Sequence, residues 1–225
     1  MSGRREEILD AALAIADEHG LDAVSMRALA ERVGVTPMAL YRHVKDKAEL
    51  LDGMVGRLLA ALLRSGVVED LAWDERLNAL AYAVREVTGQ HPWAAQLLFS
   101  RPAVTPDAVR AVDFIYVALI EAGVPESEVP RLERLVSTFV IGFAASEASG
   151  RFSPGALDPR GRRGQLPDGE LPGHTRLGPW LDLPVDLTAE FEADLDDIRR
   201  LVVAAAQPRG SAPSSSRADM PRTKR

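Results

Sequence analysis

The chain has 225 residues, 46% of them hydrophobic and 27% charged, which is enough for one or two domains with an ordinary core. It contains no cysteine, which excludes disulfides, thiolate zinc sites and thiol catalysis. No apolar run reaches the roughly 18–20 residues that a membrane span needs, and the N-terminus has no signal-peptide core, so we expect a cytoplasmic location. The net charge of −6 gives no global indication of nucleic-acid binding.

The first predicted helix is amphipathic. Ile8, Ala12, Ile15 and Ala16 lie on one face, and the helix ends near Gly20. This face can close a small core with the elements that follow. The first fifty or so residues, called the head below, can bury only a modest fraction of their surface. We therefore expect the head to need support from the rest of the chain.

Helix signals in residues 25–49 have the spacing of a helix-turn-helix. Ser25 is a good N-cap, and Gly34 can adopt the left-handed conformation that ends a helix and turns the chain. Thr36 then caps a second, short helix whose first position is Pro37, where a missing N–H costs nothing. The pattern predicts two helices joined by a tight turn.

The second of these helices is predicted to present short and basic side chains on its outer face. Leu40 and Val44 repeat at i and i+4 and face inward, which leaves Met38, Arg42 and His43 outward. Short and basic side chains on such a helix are what major-groove reading requires. The pattern therefore predicts a DNA-binding head.

A capping box, Asp46 to Glu49, opens the next helix. We place the DNA-binding domain at residues 1–47 and a connecting helix at 48–64. The acidic chain can still dock on DNA through local positive charge, since acidic residues elsewhere limit non-specific binding. The basic candidates are Arg4, Arg5, Arg27, Arg42, Lys45 and Lys47.

Residues 4–64 resemble the N-terminal domain of the tetracycline-repressor (TetR) family of bacterial transcription regulators. The run LYRHVKDKAELLD at residues 40–52 is close to that family's signature. The rest of the chain is similar more weakly, at Trp73, the pair Arg101-Pro102, and Gly142. The resemblance implies an all-α protein, with a helix-turn-helix head and a larger helical domain that dimerises and holds a small-molecule pocket.

Individual side chains in the head have predicted roles and ordinary alternatives. We predict that Tyr41 contacts phosphate, although a core position is usual for an aromatic residue. Arg27 and Lys47 lie near helix N-termini, where phosphates bind well, or they are solvated surface charges. Arg42 is the candidate for reading guanine, but the family often has an aromatic residue there, so both interpretations stay open. The full predicted DNA-binding set is Ser25, Arg27, Thr36, Pro37, Met38, Tyr41, Arg42, His43, Lys45 and Lys47.

The remaining chain, residues 48–206, is predicted to be the helical dimerisation and ligand-binding domain. Apolar residues at helical spacing predict helices over 73–88, 92–99, 105–122, 126–149 and 188–206. Residues 150–186 are rich in Gly and Pro and are interpreted as a flexible loop or a flap. Residues 207–225 form a basic Ser/Pro tail that we expect to be disordered. The arginines within 161–164 and in this tail are interpreted as solvated rather than as DNA contacts.

We predict a homodimer and a ligand cavity in this domain. The apolar stripes of 126–149 and 188–206 exceed what one small core needs, so Phe191 and Leu195 are predicted at a four-helix dimer interface. Further apolar positions favour a cavity, although a tight core is the alternative. The predicted ligand-binding residues are Leu80, Val84, Leu97, Ser100, Phe114, Ile115, Thr138 and Phe139.

No metal site or cofactor is predicted. The four histidines lie in unrelated contexts. Leu97 stands where tetracycline repressors carry a metal-binding histidine, and Ser146 where a metal-linked Glu belongs, although Glu147 is adjacent. These departures favour a more apolar ligand than a tetracycline–magnesium complex. Four acidic residues around one helix boundary are interpreted as capping and surface charge: Glu121, Glu126, Glu128 and Glu133.

The favoured function is a ligand-responsive transcriptional regulator. We predict a repressor that binds a palindromic double-stranded operator as a homodimer and is released by a small, largely apolar effector; activation stays open. A helical protein-interaction module that does not bind DNA is one alternative. A helical enzyme using the cavity is another, disfavoured because the sequence has no catalytic cluster, P-loop, dinucleotide fingerprint or G-x-S-x-G elbow.

Overall fold

A computed structural model describes residues 2–64, 71–153, 167 and 169–207 of the chain. Within these ranges it contains ten α-helices, one short 3-10 helix and no strand. The predicted all-α fold class is confirmed. The helices are α1 (Ser2–His19), α2 (Met26–Val33), α3 (Pro37–Leu40), α4 (Lys47–Arg64), α5 (Trp73–Gln90), α6 (Pro92–Ser100), α7 (Pro106–Glu121), α8 (Val129–Ala148), α9 (Pro172–Leu181) and α10 (Leu187–Ala206).

The capping signals of the head act where they were predicted. The hydroxyl of Ser25 accepts a hydrogen bond from the N–H of Ala28 at 3.1 Å at the start of α2. Gly34 ends that helix with a left-handed φ of 70°. The hydroxyl of Thr36 accepts from the N–H of Ala39 at 3.3 Å and starts α3. The predicted helix-turn-helix geometry is confirmed.

Helix α4 begins with a variant of the predicted capping box. The carboxylate of Asp46 accepts from the N–H of Glu49 at 2.8 Å. The carboxylate of Glu49 accepts in turn from the N–H of Lys45, also at 2.8 Å, rather than from that of Asp46. Both carboxylates therefore satisfy backbone donors at the end of the head.

The core of the head continues past residue 47. Leu29 and Leu40 are fully buried together with Leu50 and Met54 of α4. Leu97 of α6 belongs to the same apolar cluster. The head thus obtains the outside support that its small size requires from two helices of the next domain.

The second apolar cluster lies among α5, α7, α8 and α10. Leu119, Leu132 and Phe191 are fully buried in it. Leu59 and Ile141 are partly buried and pack against both clusters. Helix α4 therefore belongs to both apolar interiors and joins the head to the larger domain.

The Gly/Pro-rich segment 150–186 is described only in part, because residues 154–166 and 168 lie outside the described ranges together with 208–225. The predicted disordered tail and the arginines within 161–164 fall almost entirely outside them. In the described part, residues Pro172–Leu181 form helix α9, so the prediction of a loop is wrong for this stretch. Pro172 occupies its first turn, where proline has the φ that a helix needs and loses no hydrogen bond.

No helix in the described ranges is long and apolar enough to cross a membrane.

Candidate DNA-binding surface and ligand cavity

The surface of α3 and the turn after it is exposed. Leu40 and Val44 are buried as predicted, whereas Met38 is 75% and Tyr41 49% exposed. Helix α3 is only four residues long, and residues 41–43 continue it as a turn. The N–H of His43 donates to the carbonyl of Leu40 at 2.8 Å, so the turn stays compact.

The positions of Arg42 and His43 differ from the prediction. Arg42 and His43 were predicted on the outer face of a helix, but they lie just beyond the C-terminal end of α3. Both side chains are exposed. The reason is local: the final hydrogen bonds of α3 close over three residues as well as four, and the chain then turns toward Asp46.

Four basic side chains are exposed around this surface. Arg27 is the second residue of α2, Lys47 is the first residue of α4, and Arg42 and Lys45 lie between α3 and α4. Within the described ranges, none of these four side chains forms a hydrogen bond or an ion pair. Their charges are therefore available to an outside anion, and two of them lie at helix N-termini, where backbone N–H groups also favour anions.

Other arginines of the head are already paired. Arg4 binds Glu7 at 2.7 Å, and Arg5 lies 3.5 Å from Glu49. Arg32 donates two hydrogen bonds to Glu18, which raise the pKa of Arg32 and lower that of Glu18. The positive charge free to bind a partner is thus concentrated on residues 27–47.

The remaining members of the predicted DNA-binding set have structural roles at the same surface. Ser25 is half-buried and caps α2, whereas Thr36 and Pro37 are exposed at the start of α3. Nine of the ten predicted residues are exposed, as a docking surface requires. Contact with DNA itself stays a prediction for all ten.

A cavity of about 200 Å³ lies among α4, α5, α7 and α8. Its wall is largely apolar, and the end of α6 closes one side through Leu98. Leu80, Val84 and Ile115 line it as predicted. Helix α4 contributes Leu59 from the stretch that also packs against the head.

Five residues of the predicted ligand set do not line this cavity. Leu97 points into the core of the head, and Ser100 and Thr138 are exposed. Phe114 packs under the guanidinium of Arg76, and Phe139 packs against Phe143 with ring centroids 6.2 Å apart. The prediction that these five residues line the cavity is wrong. Leu98 and Ser137 line it in place of their neighbours Leu97 and Thr138.

Two charged side chains line the cavity among the described residues, and neither was predicted there. Arg101 donates to the carboxylate of Asp52 at 2.7 Å and to the carbonyl of Ala48 at 3.2 Å, and the hydrogen bond to Asp52 raises the pKa of Arg101. Glu133 is only 8% exposed. The interpretation of Glu133 as surface charge is wrong. Its spacing from Val129, Leu132 and Val136 places it on the buried stripe of α8, which the sequence pattern could have indicated.

Glu147, the neighbour of the position where tetracycline repressors carry a metal-linked Glu, forms an ion pair with Arg85. Arg85 donates to both of its carboxylate oxygens at 2.7 Å, and this pairing raises the pKa of Arg85. The guanidinium also lies over the rings of Phe143 and Phe191. Glu147 therefore joins α5 to α8 in the described structure.

The predicted dimer residues face the interior of the protomer. Phe191 is fully buried and Leu195 is 6% exposed, because both pack into the core between α5 and α8. Their assignment to the four-helix dimer interface is wrong. The large apolar residues exposed on α8 and α10 are Leu135, Leu201 and Val203.

Two family models match the chain. The model of bacterial regulatory proteins of the tetR family matches residues 8–54, and the model of the tetracyclin repressor-like C-terminal domain matches residues 68–173. Together they span more than half of the chain. Their boundary falls near the end of α4, where the structure passes from the head to the larger domain.

Curated relatives are similar over part of their length. An HTH-type transcriptional regulator of Saccharopolyspora erythraea is 33% identical over 144 residues, which are 64% of this chain and 61% of that protein. The HTH-type transcriptional repressor DrrR1 of Streptomyces coeruleorubidus is 31% identical over 142 residues, which are 63% of this chain and 53% of that protein. The chain thus matches between about half and three fifths of the length of these two relatives.

Solved structures are similar over most of the chain. ActR of Streptomyces coelicolor in complex with actinorhodin superposes with a TM-score of 0.75 at 27% identity, covering 91% of this chain and 98% of ActR. BioQ with its double-stranded DNA operator superposes with a TM-score of 0.61 at 25% identity, covering 89% of this chain and 98% of BioQ. The sequence matches, the helix-turn-helix head and the helical domain behind it agree: the chain belongs to the TetR family of bacterial transcriptional regulators.

Proposed function

We propose that this protein is a cytoplasmic, ligand-responsive transcriptional repressor. It binds an inverted-repeat operator in double-stranded DNA as a homodimer, and a small, largely apolar effector releases it. The curated relative DrrR1 is a repressor, and structures of relatives hold an operator in one case and actinorhodin in another.

The observation that carries DNA binding is the distribution of unpaired positive charge in the head. Arg27, Arg42, Lys45 and Lys47 are exposed and without protein partners in the described ranges, whereas Arg4 and Arg32 are engaged by carboxylates. Phosphate contacts supply most of the non-specific affinity for DNA, and unpaired cations provide it without first breaking an ion pair. An acidic protein with such a patch binds DNA through one face only.

Helix α4 supplies the physical link between the two activities. Its early residues Leu50 and Met54 belong to the core of the head, and its later residues Leu59 and Leu62 line the cavity. The heads of a two-fold dimer must reach half-sites about 34–36 Å apart, so a small displacement of α4 prevents simultaneous docking. An effector releases the operator only if it binds more tightly to the arrangement of heads that cannot dock than to the arrangement that can.

The operator is identified by selecting bound sequences from random duplex DNA. We expect an inverted repeat whose half-sites are centred about one helical turn apart. Failure to enrich any sequence from a folded protein would refute the proposed function and favour a protein-interaction module. A reporter gene downstream of the recovered operator then separates repression from activation by the sign of its response.

A further inference from the structure

The apolar cavity is lined by a carboxylate that has no partner among the residues the structure describes. Glu133 lies on α8 with 8% of its surface exposed and lines the cavity. Among the described residues it forms no hydrogen bond and no ion pair. Two half-buried arginines of this domain are paired in contrast, Arg85 with Glu147 and Arg101 with Asp52.

An unpartnered carboxylate in an apolar wall is energetically unfavourable. Removing a charge from water is costly unless an opposite charge or several hydrogen-bond donors replace the lost water. The lining supplies no such partner, since Leu77 and Leu80 contribute only hydrocarbon to the cavity. The hydroxyl of Ser137 is already engaged, because it donates to the carbonyl of Arg134 at 3.4 Å. A ligand that brings a cationic donor into the cavity supplies the missing partner.

The charges around the cavity favour a cation over an anion. Only Arg101 and Glu133 carry charge among the described lining residues, and Asp52 already neutralises Arg101. The three groups together leave one net negative charge, that of Glu133. A carboxylate ligand would have to displace Asp52 from Arg101 and would also be repelled by Glu133.

We propose that the effector of this protein is a small amphipathic amine, whose apolar body fills the cavity and whose ammonium group pairs with Glu133. This inference rests on the proposed function, because it names the chemical class of the effector. Ser137, one helical turn further along α8, also lines the cavity and offers a hydroxyl beside the ammonium. The apolar wall provides most of the affinity, and Glu133 provides the selectivity for charge.

The test uses three probes of nearly equal size: naphthylmethylamine, naphthylmethanol and naphthoate. Their binding to the full-length protein is measured by calorimetry near neutral pH, where the first is a cation, the second is neutral and the third is an anion. We expect the amine to bind roughly ten- to a hundredfold more tightly than the alcohol, the range of a hydrogen bond to a charged group. Naphthoate should bind most weakly.

Two variants separate the role of Glu133 from a general effect of charge. Glu133→Gln keeps the shape of the side chain and should abolish the preference for the amine over the alcohol. Glu126→Gln removes an exposed carboxylate near the start of the same helix and should leave the preference unchanged. Circular dichroism of each variant verifies that it is folded.

Several results would overturn the inference. They are equal binding of amine and alcohol by the parent, tighter binding of naphthoate, no binding of any probe, or a preference that persists in Glu133→Gln. Operator selection with the same preparation keeps the two proposals distinguishable. A parent that recovers an inverted repeat but shows no preference for the amine refutes this inference and leaves the proposed function standing.

Discussion

Replacing Gly56 in α4 with Ala should destabilise the protein, although Ala normally stabilises a helix. A Cβ atom at this position would lie 2.3 Å from Oγ1 and 3.2 Å from Cβ of Thr105. The contact with Oγ1 is closer than real Cβ atoms approach, so Thr105 has to move. Its hydroxyl caps α7 by accepting a hydrogen bond from the N–H of Ala108 at 3.3 Å.

The expected magnitude follows from three contributions. Losing the cap of α7 costs about 1 kcal/mol, and forcing apart a packed contact costs about 1–3 kcal/mol. Replacing a helical glycine recovers roughly 0.5–1 kcal/mol. The net loss for Gly56→Ala is therefore about 1–3.5 kcal/mol of the free energy of unfolding.

Two other glycines provide matched controls. A Cβ at Gly89 in α5 meets nothing within 4 Å, so Gly89→Ala should stabilise the protein by roughly 0.5–1 kcal/mol. A Cβ at Gly53 would come within 2.7 Å of Cδ2 of Leu9, a flexible tip that can shift. Gly53→Ala should therefore fall between the other two variants.

Unfolding in urea, followed by circular dichroism, measures all three variants and the parent. The midpoints should rank Gly89→Ala above the parent and Gly56→Ala below it, with similar slopes. Combining Gly56→Ala with Thr105→Ala should cost no more than Thr105→Ala alone, because the clashing atom is gone. If Gly56→Ala unfolds at the same urea concentration as Gly89→Ala, the close packing of α4 against the start of α7 is wrong.

Three further predictions address the docking surface, the dimer and pH dependence. Tyr41→Ala and Lys47→Ala should weaken binding to all DNA sequences similarly, and Lys47→Ala should also lower the salt dependence by about one unit of slope. Arg42→Ala should instead relax sequence preference at a cost of about 1–3 kcal/mol. Titrations with operator and random duplex measure these effects, and parental binding by all three variants would refute the assignment. Leu201→Glu places a charge on the exposed apolar face of α10 and should yield folded monomers in sedimentation at micromolar concentration, so a parent that is itself monomeric there contradicts the predicted dimer. Burial raises the pKa of Asp194, so its carboxylate lowers stability as pH rises through that pKa. Asp194→Asn should therefore raise the melting temperature at neutral pH and have no such benefit in acid below the ordinary pKa of aspartate, and an equal effect at both pH values would contradict the shift.

Much of the head could be predicted from the sequence because its determinants are local. The cap of Ser25, the left-handed Gly34 and the cap of Thr36 each act within a few residues along the chain. The burial of Leu40 and Val44 follows from their spacing, since only one side of so short a helix can face a core. The exposure of Met38 on the other side follows from the same geometry.

Rotation of the long helices about their axes was determined only by tertiary packing. Successive residues of an α-helix are about 100° apart, so an error of one position replaces a lining side chain with an exposed one. Ser137 lines the cavity and Thr138 does not, and Phe191 lies inside the protomer rather than between two protomers. A broad apolar stripe in the sequence predicts that a helix is buried, but it does not say which neighbour covers each part of the stripe.

Sequence alone therefore determined the all-α class, the helix-turn-helix and its exposed basic residues, because each depends on contacts between near neighbours in the chain. The tertiary structure decided that α4 and α6 complete the core of the head and that Arg101 pairs with Asp52. It also decided that Glu133 faces the cavity with no partner among the described residues. These features join residues that are distant in sequence, and their positions follow from how the helices pack together, which no local periodicity specifies.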